Sequence, residues 1–354
     1  MNIGLPKEIK KDEYRVTLVP GAVETLTSAG HKVFMEKGAG LGAGLPDREY
    51  ENAGAAMCRG ADEVWRRSEM IVKVKEPLPP EIARMREGQV IFGYLHLAAA
   101  KSLARALIRK RVRAVAFETV CLADGDLPLL KPMSEIAGRM SVQEGAKYLE
   151  RTHGGRGILL SGVPGVQRGT VVILGAGTVG KNAARIANGF HANTFVLDVN
   201  RSRLEYLEDV YDGRVRTFTS TPETIRRLVR EADLVIGAVL IPGAQAPVLV
   251  PRSLVREMLP GAVIVDVAVD QGGCVETIRP THHSKPTYMV DGVIHYGVAN
   301  MPGAVPRTST FALSNVIHSY ALELANRGVA DAVRSIPELA GGLNVAEGRV
   351  TNPA

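Results

Sequence analysis

Val171-Val172-Ile173-Leu174-Gly175-Ala176-Gly177-Thr178-Val179-Gly180 is the stretch on which the fold turns. Four apolar residues in a row read as a buried strand. A helical pattern carrying Ala183, Ala184, Ile186 and Ala187 follows the last glycine. Between them, Gly175, Gly177 and Gly180 satisfy G-x-G-x-x-G, which alone marks no more than a turn. Set between strand and helix, the glycines have separate roles. Gly175 makes the turn, Gly177 admits a pyrophosphate close to backbone, and Gly180 lets helix and strand touch. The helix N-terminus offers unpaired N–H groups and a positive dipole end for phosphate.

The next apolar run, Thr194 to Leu197, ends in Asp198, about 20 residues downstream, where a carboxylate can hold the adenosine ribose hydroxyls. The same charge repels a 2′-phosphate, so NAD is expected rather than NADP. Arg201 and Arg203 pull the other way, since an arginine there can pair with that phosphate.

Outward from this loop the pattern repeats. Leu234 to Gly237 and Val263 to Asp266 read as further strands, giving an α/β domain over roughly residues 128–305. A long helix is expected to enter it from Ser134, as N-cap, to about Glu150, before Gly154-Gly155-Arg156-Gly157 breaks the chain. Upstream, Val33 to Met35, Met70 to Val74, Val90 to Tyr94 and Ala114 to Phe117 alternate with helical patterns at 21–29 and 101–109, which implies a second parallel sheet. The tail from Thr308 to Asn326 is helical in pattern and too short to stand alone, so it should pack on the first body. Gly38 to Gly44 is rich in glycine, but no long helix starts against it, and it reads as a structural turn.

A chain of 354 residues suggests about two domains, and 45% hydrophobic with 23% charged residues argues against disorder. The formal charge of +6 is not gathered into a basic run, which disfavours nucleic acid, and suits small anions. Cys58, Cys121 and Cys274 lie far apart, with no metal-type spacing, and fit a reduced cytoplasmic interior. No signal peptide or membrane-spanning apolar run is expected.

Four polar residues interrupt apolar surroundings: Arg15 before Val16-Thr17-Leu18, Lys75 after the run 70–74, His96 between Leu95 and Leu97, and Asp270 after the run 263–269. Ligands of open α/β sheets bind beyond the carboxyl ends of strands, where Lys75, His96 and Asp270 fall. Each also has a plain reading: a surface ion pair, a solvated strand end, a hydrogen-bonded core histidine, a turn aspartate. Spacing alone does not bring them together.

With these residues in view, the chain resembles the alanine dehydrogenase family, which includes the nucleotide-binding part of proton-translocating transhydrogenase. The matching stretches are Arg15 to Pro20, Gly38 to Ala43 with Asp47 and Tyr50, Tyr94 to Ala98, Pro132 to Met140, Gly154 to Gly157, Asp266 to Gly273, and His295 to Gly303. They span nearly the whole chain. The resemblance implies two Rossmann-like α/β domains, with a doubly wound NAD-binding domain (129–305) inserted in a discontinuous substrate domain (1–128 and 306–354). It implies reversible oxidative deamination of L-alanine by NAD to pyruvate and ammonium in a cytoplasmic homohexamer. Arg15 and Lys75 would hold the substrate, and His96 and Asp270 would form the catalytic pair. Cofactor contacts would be Ser134, Thr178, Val179, Asp198, Arg203, Ser220, Val239, Leu240, Val267, Asp270, Arg279, Val298, Asn300 and Met301, besides the three glycines. One departure is the turn Asn188 to Asn193, where the family usually has a Gly-Leu-Gly-Ala type sequence. Three other readings stay open: a transhydrogenase subunit, which needs a membrane partner; a dehydrogenase for another amino acid, with a larger pocket; and a silent NAD-binding protein.

Overall fold

The computed structural model describes residues 1–98, 100–239 and 245–352, which divide into two compact units: Met1–Met133 with Gly303–Ala354, and Ser134–Pro302. In chain order the strands are β1 Asn2–Leu5, β2 Lys32–Glu36, β3 Ala56–Cys58, β4 Met70–Val72, β5 Val90–Gly93, β6 Arg113–Ala116, β7 Thr170–Leu174, β8 Asn193–Asp198, β9 Val215–Thr219, β10 Leu234–Gly237, β11 Val263–Asp266, β12 Thr287–Val290, β13 Val293–Tyr296, β14 Leu343–Ala346 and β15 Arg349–Val350.

The first unit holds one sheet in the order β15-β14-β6-β5-β4-β1-β2-β3, the second another in the order β12-β13-β11-β10-β7-β8-β9. Six neighbouring strands in each are parallel; the antiparallel pair β14–β15 closes one side of the first sheet and antiparallel β12 one side of the second. Numbered within its unit, each parallel set runs 3-2-1-4-5-6, the doubly wound order, which reverses between β1 and β4 and between β7 and β10. A ligand crevice belongs at those two points, because connections leave the sheet toward opposite faces there.

The apolar runs explain both sheets. β4, β5, β7, β10 and β11 are buried along nearly their whole length, as strands covered on both faces must be. The second core gathers Val172, Leu174, Ile225, Leu228, Val235, Ile264 and their neighbours; the first gathers Phe34, Trp65, Ile71, Ile91, Leu103, Leu107 and Ala114. Val345, from the far end of the chain, joins the first core.

Several boundaries move. The long helix runs Lys131–Tyr148, so Ser134 lies inside its first turns and is not the cap. Pro132 accounts for the shift, since proline is well placed in a first turn that needs no N–H. The strand expected over 70–74 stops at Val72. The run 263–269 is a strand only to Asp266, after which a 3₁₀ turn, Val267–Gln271, carries Asp270. The C-terminal helix is longer than its apolar pattern, spanning Pro306–Ser335 with a break at Gly328. It belongs to the first unit: Thr310 Oγ1 accepts from Val16 N at 3.2 Å and Ser314 Oγ from Val19 N at 3.0 Å.

The Gly38–Gly44 segment is a turn around a 3₁₀ helix, Leu41–Ala43. Asp47 Oδ1 accepts from Gly38 N at 2.8 Å, and Arg307 donates to Gly44 O at 3.1 Å. A Cβ on Gly42 would press on the Tyr14 carbonyl, so these glycines serve close packing.

Candidate functional site

In the first unit the candidate residues lie beyond the carboxyl ends of β1, β4 and β5, next to the reversal of strand order. Arg15 is 2% exposed. Its Nε donates to Glu13 Oε1 at 2.6 Å and its Nη2 to Glu13 Oε2 at 2.5 Å, a two-pronged pair; Nη1 meets Met133 Sδ at 3.1 Å. One edge of the fork expected to hold a substrate thus belongs to Glu13. Burial alone would raise the Glu13 carboxyl, but Arg15 outweighs it and holds the group near pKa 2. Arg15 stays charged in a dry place with its guanidinium plane fixed.

Lys75 is half-buried three residues past β4. Burial, followed by repulsion from Arg15 and Lys10, pushes its pKa below the ordinary lysine value, while Glu13 and Glu76 oppose the shift. Arg15 and Lys75 therefore form one cationic locus. Tyr94 adjoins it: its hydroxyl donates to Leu129 O at 2.6 Å, and its ring stacks with His96, centroids 6.0 Å apart and 9° from parallel. His96 is exposed and holds a left-handed backbone, φ 50°. Glu118, just past β6, accepts from His96 N at 2.5 Å and from Leu95 N at 3.1 Å, which fixes the peptide that aims the imidazole.

In the second unit the loop after β7 has the shape its glycines demand. Gly175 has φ 105°, a Cβ on Gly180 would overlap the Gly175 carbonyl, and around Gly177 the nearest neighbour of an added Cβ is Arg203, at 3.9 Å. The helix Thr178–Gly189 starts at once, so its first N–H groups face that open side. Asp198, 7% exposed at the end of β8, accepts from Ala176 N at 2.6 Å and Asn200 N at 2.7 Å, with Arg203 Nη1 3.7 Å away. The carboxylate binds its own loop first, and each oxygen keeps a second lone pair for a hydroxyl. These features fit a dinucleotide: a cradle that a side chain would fill, and a carboxylate beside it.

Around this loop, Ser220 N donates to Asp198 O at 3.0 Å, Val239 follows β10 with its amide 3.2 Å from an added Gly175 Cβ, and Val267 opens the turn after β11. Asp270 is exposed on that turn. Val298 and Met301 are buried beyond β13, and Asn300 O meets His283 Nε2 at 2.9 Å. Arg279 is exposed and lies over the Tyr288 ring at 4.4 Å, with its amide donating to the Tyr288 hydroxyl. Ser134 is half-buried in its helix, and four residues on a Cβ on Gly138 would meet the Val179 carbonyl. Leu240 falls outside the described residues.

Sequence reasoning missed the residues that hold the others in place: Glu13, Tyr94, Glu118 and Asp266. Asp266 is 1% exposed and accepts from Ala268 N at 2.9 Å, Cys274 N at 2.8 Å and Val275 N at 3.2 Å, so it ties both ends of the turn carrying Asp270. Burial pushes its carboxyl up, against those three donors. The signal available was a charged residue at the end of an all-apolar strand.

The family descriptions "Alanine dehydrogenase/PNT, N-terminal domain" and "Alanine dehydrogenase/PNT, C-terminal domain" match residues 4–137 and 141–353. This chain belongs to the alanine dehydrogenase/PNT family. It is 55% identical to an alanine dehydrogenase of Methanococcus maripaludis, covering all of this chain and 95% of that protein. It is 54% identical to one of Bacillus subtilis, covering 100% and 93%. A solved L-alanine dehydrogenase superposes with TM-score 0.97 at 56% identity, over 100% of this chain and 97% of that one. A transhydrogenase from Sinorhizobium meliloti shares the fold, TM-score 0.85 at 24% identity over 100% and 99% of the two chains. Two Rossmann-like α/β domains are thus the architecture of this family member. Among the described residues, no helix is long and apolar enough to cross a membrane.

Proposed function

We propose that this protein is an NAD-dependent oxidoreductase that converts L-alanine and water to pyruvate and ammonium, reversibly. The observation that carries the reading is the Arg15–Lys75 cationic locus at the carboxyl end of a sheet, with Tyr94 beside Arg15 and stacked on His96. The names of its relatives supply the choice of alanine. A bound dinucleotide would supply the hydride acceptor for the substrate Cα.

Residues 129–305 form the NAD-binding domain, and 1–128 with 306–354 the substrate domain. Gly175, Gly177, Thr178, Val179 and Gly180 receive the pyrophosphate, and Asp198 the adenosine ribose, with its charge selecting NAD over NADP. Ser134, Arg203, Ser220, Val239, Leu240, Val267, Asp270, Arg279, Val298, Asn300 and Met301 complete that surface. Arg15 and Lys75 bind the substrate carboxylate, and Lys75 also polarises the oxygen that becomes the pyruvate carbonyl. His96 takes a proton from the water that attacks the imine carbon and returns it to the departing amine. Asp270 anchors the substrate ammonium and relays protons. The protein acts in the cytoplasm as a homohexamer.

NADH formation followed with L-alanine, glycine, L-serine and L-lysine in parallel tests the substrate. Alanine should give the highest kcat/KM, and no turnover with alanine overturns the reading. His96→Ala and Asp270→Asn should each lower kcat by about 10² or more in folded protein. Near-normal kcat in both variants removes these two residues from the chemistry.

A further inference from the structure

Val72-Lys73-Val74-Lys75-Glu76 holds two lysines with opposite surroundings. Lys73 is 2% exposed, and its ammonium donates to the Lys75 carbonyl at 2.9 Å and Glu8 Oε2 at 3.0 Å, with Glu81 Oε1 ion-paired at 3.3 Å. The other oxygen of Glu8 accepts from Val74 N at 2.6 Å and Lys75 N at 3.3 Å. Both the N–H and the C=O of Lys75 are therefore held by side chains. β4 has ended at Val72, and the last ladder contacts beyond it run from Lys73 N to Phe92 O at 3.0 Å and from Tyr94 N to Val74 O at 3.1 Å.

The position of these residues in the sheet explains the arrangement. Glu8 stands three residues past β1 and Lys73 one past β4, the neighbouring strands where the order reverses. The chain leaves those two strands for opposite faces, and the ladder with β5 reaches only Val74, one residue short of Lys75. A Cβ on Gly93 would overlap the Lys73 carbonyl, so β5 is also fitted against this corner. Burial would discharge Lys73, but Glu8 and then Glu81 outweigh it and keep it an ammonium. A buried triad of this kind is a poor source of stability, because desolvation offsets its attraction; its best-attested use is to fix a geometry.

We propose that Lys73, through its pairing with Glu8, is a positioning residue for the carboxylate substrate, clamping the Lys75 backbone so that the Lys75 ammonium stands where that carboxylate binds. The proposal rests on the reading of Lys75 as a substrate-binding cation.

Steady-state kinetics on full-length Lys73→Met, Lys75→Ala, the double variant and Gln89→Leu test it. Gln89 is a buried residue of the same unit that donates to Trp65 O and Ser68 O, and it controls for general destabilisation. Lys73→Met should raise KM for L-alanine about tenfold or more and leave KM for NAD within about twofold. In the Lys75→Ala background the same change should have no further effect on alanine KM. Gln89→Leu should lower Tm without moving alanine KM. A wild-type alanine KM in Lys73→Met, or an equal factor with and without Lys75, overturns the positioning role while Lys75→Ala still shows its own defect. Wild-type kinetics in Lys75→Ala overturns the underlying reading and this proposal with it. Should Lys73→Met not fold, Glu8→Gln, which keeps the shape but weakens the acceptor, must raise alanine KM in the same Lys75-dependent way, or the proposal fails.

Discussion

Glu13 holds Arg15 by both prongs in a place from which water is excluded. Its carboxyl sits near pKa 2, below the ordinary 4.5, so the pair stabilises the fold fully above about pH 4.5 and loses that contribution as pH falls toward 2. Glu13→Ala takes the two-pronged carboxylate partner from a buried guanidinium. Chemical denaturation at neutral pH should show a loss of about 3–5 kcal/mol, and acid unfolding should lose its step in that window. Lys75 has the reverse sign: its pKa is lowered, so the charge needed to bind a carboxylate disappears as pH rises, earlier than for a free lysine. KM for L-alanine should climb on the alkaline side, while KM for NAD does not follow it. Asp198→Ser removes the charge facing a 2′-phosphate and should raise the NADP/NAD ratio of kcat/KM by about tenfold or more. Asp198 and Lys75 stood out in the sequence because each ends an apolar run. Glu13 and Glu118 did not, since nothing in spacing says that a carboxylate will meet Arg15 or the His96 amide.

At the scale of elements, eight strands were legible but their ends were not, while β1, β3, β9 and β12 to β15 carry too short or too polar a pattern to have been read. β5, β7, β10 and β11 are the apolar runs themselves, because strands buried on both faces have no alternation to blur them. Where they stop depends on what the next backbone N–H finds. Asp266 ends β11 by drawing Ala268 N to its side chain, which turns the chain and puts Asp270 on a 3₁₀ turn. The C-terminal helix outruns its expected end because Gly328 (φ 73°, ψ 162°) breaks it without stopping it. That conformation is essentially open to glycine alone, so Gly328→Ala should strain the backbone by about 1–3 kcal/mol. A melt should show Tm a few degrees lower, with kcat for alanine unchanged.

At the scale of the molecule, the second unit is one continuous stretch with its own core, whereas the first is assembled from both ends of the chain. A fragment of residues 131–302 is therefore expected to fold and bind NADH, read as fluorescence transfer or by calorimetry, but to turn over no alanine, because Arg15, Lys75 and His96 are absent from it. A fragment of 1–133 alone should not fold, having lost the helix that accepts from Val16 and Val19 and the strand that gives Val345 to the core. The sequence by itself determined the α/β class, the dinucleotide turn and its carboxylate, because these depend on local periodicity and on what glycine alone can do within a few residues. Only the tertiary structure decided that Glu8 and Lys73 hold Lys75, that Glu13 occupies one edge of Arg15, and that Glu118 fixes His96. Those pairs meet where strand order reverses, and burial there forces each charge to find a partner whose distance along the chain no pattern records.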